Sequence, residues 1–246
     1  MKLVGIVMEY NESSRGNLRR CLDNMKLYCD EIVVYDDGST DDSVAVAQEY
    51  TKHIIASSDN DFMAETEHRQ MLVDYANALK ADYIFWLDAD EVLDRNGTKG
   101  IRDLCHGPSY GFREITLWRS DLWKRTDYLG SGWFTRLWKN TGHLRIPPAR
   151  GLHKQLHPDG LEVIPSKFEV IHFGYATKEA IERRWRERSA LGVSVIKRKA
   201  GIDERNMVLE RISLATFPPG IEIDNETKMP TPIKYHPDIM KEAGLE

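Results

Sequence analysis

The chain is short of cysteine, has no excess of basic residues and contains no long apolar run, and each shortage narrows what it can be. Its three cysteines, Cys21, Cys29 and Cys105, are odd in number and form no close metal-ligand cluster. Reduced thiols in a cytosolic-type compartment are therefore the expectation rather than a disulfide framework. Lys and Arg total 34 against 39 Asp and Glu, a formal net charge of -5. That argues against general nucleic-acid binding, which needs a broad basic footprint, and leaves only a local basic groove open. The N-terminal apolar stretch turns polar at Glu9, too early for a signal peptide or a membrane span, and no later run is long enough. The expectation is a soluble, cytoplasmic protein with at most peripheral contact on the inner face of a membrane. No internal repeat is present.

The 246 residues, 41% hydrophobic and 30% charged, suit one large α/β domain or one domain with an appendage. Leu3 to Met8 reads as a buried strand running into the polar loop Tyr10-Asn11-Glu12. Leu18, Leu22, Met25 and Leu27 follow helical spacing. Glu31 to Tyr35 is a second strand leading into Asp36-Asp37-Gly38-Ser39-Thr40, a dense turn, and a helix follows over Val44 to Tyr50 with Asp41 or Asp42 as N-cap. His53 to Ala56 reads as a third strand, Glu65 to Leu79 as a helix, and Tyr83 to Leu87 as a fourth strand ending at Asp88-Ala89-Asp90-Glu91. Alternating strands and helices predict βαβ units and a mostly parallel sheet, whose ligands sit beyond the carboxyl ends of the strands. The three polar clusters all fall at such ends.

The second half differs. Tyr110 to Trp138 is rich in aromatics, including Trp118, Trp123, Trp133 and Trp138. Thr177 to Lys199 reads as one helix with Thr177 as N-cap, carrying a basic run that is either a solvated face or a surface for an anionic acceptor or lipid. From Phe217 the chain is polar and punctuated by proline, which reads as an extended arm or partly disordered tail.

Two carboxylates one residue apart after a buried strand, as in Asp88-Ala89-Asp90, have the form that shares Mg²⁺ or Mn²⁺, hard cations that prefer oxygen. Such an ion neutralises a departing diphosphate. Taken alone the pattern also fits a solvated turn. The surrounding pieces are more specific: Val7-Met8-Glu9-Tyr10-Asn11-Glu12, Val34-Tyr35-Asp36-Asp37-Gly38-Ser39-Thr40-Asp41, His68-Arg69-Gln70 and Leu87-Asp88-Ala89-Asp90-Glu91. In order and spacing these resemble the family 2 glycosyltransferases of GT-A fold, over roughly residues 2 to 95. Arg136-Leu137-Trp138, Gly151-Leu152-His153 and Ile171-His172-Phe173-Gly174-Tyr175 more loosely resemble the branch that includes lipopolysaccharide-core glucosyltransferases.

The resemblance implies a GT-A, Rossmann-like catalytic domain over residues 1–176, with a nucleotide-sugar half (1–95) and an acceptor half (96–176), followed by a helical and extended appendage over 177–246. It implies a nucleotide-diphosphate sugar as donor, a glycan, glycolipid or other hydroxyl acceptor, and a divalent cation. Tyr10, Glu12, Asp37, Arg69 and Asp88 are the implied donor-binding residues, with Tyr10 and Asp37 at the nucleobase. Asp88, Asp90 and His172 are the implied metal or diphosphate residues. Each has a plainer alternative: a core-edge aromatic for Tyr10, a turn carboxylate for Asp37, a solvated helix position for Arg69, and a structural histidine for His172 or His153.

One departure bears on chemistry. In that branch an acid commonly follows the histidine corresponding to His153, whereas Lys154 stands here. An inverting transfer needs a carboxylate to take the acceptor proton. Asp121 is the first candidate and Glu114 the second, each with an ordinary surface acid as the alternative. Two other functions compete. A nucleotidyltransferase of related fold would need a glycine-rich, arginine-bearing N-terminal loop to cradle a triphosphate, and the loop here lacks it. A non-catalytic nucleotide- or sugar-binding module has no need of Asp88, Asp90 and His172.

Overall fold

The computed structural model describes residues 1–127, 133–151, 155–223, 226 and 228–246. The chain divides into two compact units, one of Met1–Arg113 with Trp133–Val170 and one of Glu114–Gly132 with Ile171–Glu246. Among the described residues no helix is long and apolar enough to cross a membrane.

The first unit begins β1 (Leu3–Glu9), α1 (Asn17–Met25), β2 (Glu31–Asp36), α2 (Ser43–Gln48), β3 (His53–Ala56), α3 (Glu65–Ala78) and β4 (Tyr83–Asp88). Along the chain there follow β5 (Glu91–Leu93), α4 (Arg95–Leu104), β6 (Ser109–Thr116), β7 (Trp123–Arg125, in the second unit), β8 (Trp133–Lys139) and β9 (Val163–His172). The sheet order is β3-β2-β1-β4-β8-β6-β9-β5. The β3-β2-β1-β4 half is parallel, as the alternation of elements predicts, while β8 runs antiparallel to both β4 and β6. Strand β1 is apolar at consecutive positions because both its faces are covered. Leu3, Val7, Val34, Phe85 and Leu87 pack to one side with Leu18, Leu22 and Met25 of α1. Val4, Ile6, Val33, Ile84 and Trp86 pack to the other with Leu72, Val73 and Ala76 of α3. The approach of α1 is close enough to need glycine: a Cβ on Gly5 would lie 2.5 Å from Met25 Cε and 2.8 Å from Cys29 Sγ.

In the second unit α5 (Lys178–Ala190), α6 (Val195–Ala200), β10 (Leu209–Arg211) and α7 (Pro237–Ala243) follow β9. β10 pairs antiparallel with β7. Thr177 caps α5 as expected, its hydroxyl accepting from Ala180 N at 3.1 Å. The single helix expected over 177–199 is instead two. Gly192 adopts φ 71°, and Gly192 N and Val193 N bond back to the carbonyls of Ser189 (3.0 Å) and Arg188 (2.9 Å). That pattern is a Schellman terminus, which ends α5.

The tail also differs from an extended arm. Pro237 opens α7 and left-handed Gly244 closes it. Tyr235, Ile239, Met240 and Ala243 join Trp118, Tyr175, Ile181 and Trp185 in one buried cluster. Buried Glu204 fastens the segment, accepting from Trp118 Nε1 (2.7 Å), Arg119 Nη2 (2.7 Å), Ile233 N (3.2 Å) and the Tyr235 hydroxyl. A composition rich in proline hid a short helix with a regular apolar face.

Candidate active site

In the first unit the carboxyl ends of three neighbouring parallel strands bring acids together. In register, Glu9 of β1 faces Asp36 of β2, and Met8 faces Asp88 of β4. Glu9 and Asp36 are both buried. Burial, then the hydrogen bond to Asp36 and its charge, push the Glu9 carboxyl up to about 9. Glu9 is thus a neutral acid at pH 7, a role no reading of the sequence assigned to it. The turn after β2 hangs from this pair: Ser39 N donates to Asp36 Oδ2 at 3.1 Å, Ser39 Oγ to Glu9 Oε1 at 3.3 Å, and Asn11 N to Ser39 Oγ at 2.8 Å.

Tyr10 is half-buried and meets Phe62 edge-on, ring centroids 5.2 Å apart. Glu12 pairs with Arg15 and accepts from Asn17 Nδ2 at 2.7 Å, so this side chain closes the loop before α1. Asp37 is 1% exposed and accepts from Asn60 Nδ2 (2.8 Å) and Asp61 N (3.1 Å), with His68 Nδ1 at 3.6 Å. Burial raises its carboxyl pKa, against the Asp61 hydrogen bond and the His68 charge. His68 in turn stacks on Tyr35 at 4.4 Å.

At the end of β4, Arg69 donates through Nη2 to Asp88 Oδ1 at 2.9 Å. The arginine is fully buried while the Asp88 side chain is 38% exposed. The guanidinium lies over the Trp86 ring, 4.1 Å from its centroid, and Nε and Nη1 have no hydrogen-bond partner among the described residues. Such unpaired buried donors are rare in folded proteins and mark a place where a ligand or water completes the set. Arg136 covers the same ring at 3.7 Å and makes two 2.6 Å bonds to Glu91. Glu91 Oε2 also accepts from Asp88 N at 2.8 Å, so the Arg136–Glu91 pair staples the Asp88-Ala89-Asp90 turn. Asp90 is buried. Among the described residues no three metal-ligating side chains come together. Asp88 and Asp90 nevertheless supply the hard oxygen donors that Mg²⁺ or Mn²⁺ prefers, and such ions are commonly held by one or two carboxylates plus substrate phosphates. By residue type the pair matches such a cation, and one oxygen of Asp88 already accepts from Arg69.

The second unit holds its own cluster. Glu114 lies beside His172, Oε1 to Nδ1 at 3.2 Å, and accepts from Thr116 Oγ1 at 2.9 Å. Arg184 Nη2 stands 3.4 Å from His172 Nε2. In the sequence Arg184 reads only as part of a basic helix face. Asp121 sits in the turn between Trp118 and Trp123, which closes through Trp118 N to Trp123 O at 2.9 Å. His153 and Lys154 lie outside the described residues.

Residues 6–154 match the sequence profile described as Glycosyl transferase family 2. Among solved structures the chain is similar to S. aureus TarS 1–349 in complex with UDP-GlcNAc, at 14% identity and TM-score 0.50, over 83% of this chain and 71% of that one. It is similar to S. aureus TarS at 14% identity and TM-score 0.47, over 83% of this chain; it spans only 42% of that chain. Glucosyl-3-phosphoglycerate synthase from Mycobacterium tuberculosis in complex with Mg²⁺ and UDP aligns over 47% of this chain and 43% of its own, at 16% identity and TM-score 0.36. At such identities the likeness to TarS 1–349 speaks for the fold, a GT-A α/β sheet flanked by helices.

Proposed function

The chain belongs to glycosyl transferase family 2, and from that premise we propose that it transfers a sugar, with inversion, from a nucleotide-diphosphate sugar to an acceptor hydroxyl with the help of a divalent cation. The observation that carries the reading is the meeting of acids at the ends of β1, β2 and β4, with the buried Arg69 guanidinium beside Asp88. Ligands of parallel α/β sheets bind at that edge.

In this reading Tyr10 and Asp37 hold the nucleobase and Arg69 offers its unpaired donors to the nucleotide. Asp88 and Asp90 hold Mg²⁺ or Mn²⁺, which when bound neutralises charge on the diphosphate. The acceptor oxygen forms a bond to the anomeric carbon while the bond from that carbon to the phosphate oxygen breaks. The electron pair leaves with the nucleoside diphosphate, and the acceptor proton passes to Glu114. A uridine diphosphate sugar is the first donor to test, by analogy with the ligand of TarS 1–349. The acceptor is a glycan or glycolipid hydroxyl, and any contact with a membrane is peripheral.

A panel of nucleotide sugars with and without Mn²⁺ tests this directly, because a true donor raises the melting temperature by mass action. Without acceptor, slow metal-dependent hydrolysis of that donor is expected, and a mere binding module would show none. Asp90→Ala should abolish the metal-dependent part of donor stabilisation and leave the fold intact. Unchanged metal dependence in that variant would remove Asp90 from the cation.

Asp37→Ala should weaken nucleotide binding by about 1–3 kcal/mol, the range for losing a hydrogen bond with a charged partner. Calorimetry is the measurement, on protein whose circular dichroism matches the parent, since Asp37 also holds Asn60 and Asp61. An unaltered affinity would return Asp37 to a purely structural turn role.

A further inference from the structure

We propose that His172 is a positioning residue and not a cation ligand: Arg184 engages its Nε2, so that the ring proton sits on Nδ1 and faces Glu114. This deepens, and rests on, the reading of Glu114 as proton acceptor. The geometry leaves the ring little choice. An arginine side chain carries five N–H donors and no acceptor, and it does not lose its charge. The His172 nitrogen 3.4 Å from Arg184 Nη2 must therefore present a lone pair, so the neutral ring carries its single proton on Nδ1, 3.2 Å from Glu114 Oε1. Nε2 is thereby engaged by Arg184, and Nδ1 stands beside Glu114 at a distance but not an angle that makes a hydrogen bond, so a small turn of either side chain completes it.

The arginine is itself fixed. Its Nε donates to Gly174 O at 2.9 Å, and its guanidinium lies 4.9 Å from the Tyr175 ring centroid. His172 is held from the backbone, its carbonyl accepting from Leu117 N at 3.1 Å, and its ring meets Tyr175 edge-on at 5.5 Å. A histidine that ligates a metal usually gives its second nitrogen to a carboxylate or carbonyl and keeps the first lone pair for the ion. Here that first lone pair faces a permanent cation, which would also repel a divalent one. The local potential agrees. Burial pushes the Tyr175 hydroxyl up, yet the charges of Arg184, Arg188 and His172 with a hydrogen bond from Arg188 together leave the pKa lowered.

The consequence is a division of labour. The carboxylates of Asp88 and Asp90 serve the cation, while His172 orients Glu114 and stabilises the form ready to accept a proton. Two substitutions at one position separate these roles. The amide nitrogen of Asn stands near the place of Nδ1, and the amide of Gln reaches the place of Nε2. His172→Asn should keep kcat close to wild type, and His172→Gln should lose about tenfold or more, the scale for outer-layer partners. The KM for donor should be unchanged in both, and both should bind Mn²⁺ with UDP as the parent does, by calorimetry. Tenfold weaker Mn²⁺ binding in either variant overturns the proposal, as does wild-type kcat in both.

A third readout needs no activity. Long-range ¹⁵N–¹H correlation spectra of the ligand-free protein, with His172 assigned by its loss in His172→Asn, should show the Nδ1–H tautomer. Arg184→Gln should release that preference. An Nε2–H ring in the wild type would overturn the proposal whatever the kinetics show. If instead no variant and no parent transfers sugar while the ring is Nδ1–H, the glycosyltransferase reading has failed and the positioning by Arg184 stands.

Discussion

Glu114→Gln should cut sugar transfer by on the order of 10²–10⁴, the usual contribution of a general base. Gln keeps the shape and polarity of Glu and removes only the capacity to take a proton. Donor affinity should scarcely move, because this residue serves the acceptor and not the nucleotide. Asp121→Asn, made in parallel, should leave transfer near normal. Sequence alone favours Asp121, which lies among the tryptophans. We prefer Glu114 because its carboxylate accepts from Thr116 and stands 3.2 Å from the His172 ring, although both acids are half-buried. A preorganised base needs such a setting, since a wandering carboxylate loses most of the benefit of proximity. Steady-state kinetics with saturating donor is the measurement. Loss in Asp121→Asn with none in Glu114→Gln would reverse the assignment. Full activity in both would reopen inversion itself, since a retaining transfer needs no such base.

How much of this was legible in the residues depends on the range of the forces involved. The parallel half of the sheet was, because βαβ units repeat a local pattern: Leu3 to Met8 and Tyr83 to Leu87 are apolar at successive positions only if both faces are covered. The edge of acids was legible for the same reason, as strand ends follow from strands. The end of α5 was also written in the chain, at Gly192, but an apolar and basic run on either side masked it. Strands β6, β8 and β9 were not legible as a sheet. Their pairings, antiparallel where β8 meets β4 and β6, depend on partners tens of residues away, and aromatic richness alone does not say which strand lies beside which. Charge pairing was the least legible of all. Nothing near Glu91 in sequence announces Arg136, and nothing near His172 announces that Arg184, one of several arginines on a helix, is the one that faces it.

A plain Glu9→Gln substitution should make the protein more stable at high pH, and the gain should grow as the pH rises. The wild-type carboxyl is neutral when folded because burial beside Asp36 pushes its pKa from 4.5 to about 9. Asp36 Oδ1 is buried with no other donor among the described residues, so a proton on Glu9 is what satisfies it. Below about pH 4.5 both the folded and unfolded chains hold that proton, and its stabilising effect is complete. Between about 4.5 and 9 the folded chain holds it while the unfolded chain has lost it. The folded state must then draw a proton from solution, and stability falls as pH rises. One proton corresponds to a slope of about 1.4 kcal/mol per pH unit, or roughly 3 kcal/mol between pH 6 and 8, as the upper bound for this group. Gln offers an amide N–H to Asp36 at every pH and has no proton to lose. Urea titrations at pH 5, 7 and 9 should show the two proteins nearly level at the lowest pH and diverging above it. The turn that carries Ser39 hangs from Glu9 and Asp36, so nucleotide binding by the folded wild type should hold up to neutral pH and weaken only as the pH rises past about 9, where Glu9→Gln should keep its affinity. Parallel stability curves for parent and variant from pH 5 to 9 would mean that Glu9 is ionised in the folded protein, and that the Asp36 side chain is satisfied in some other way.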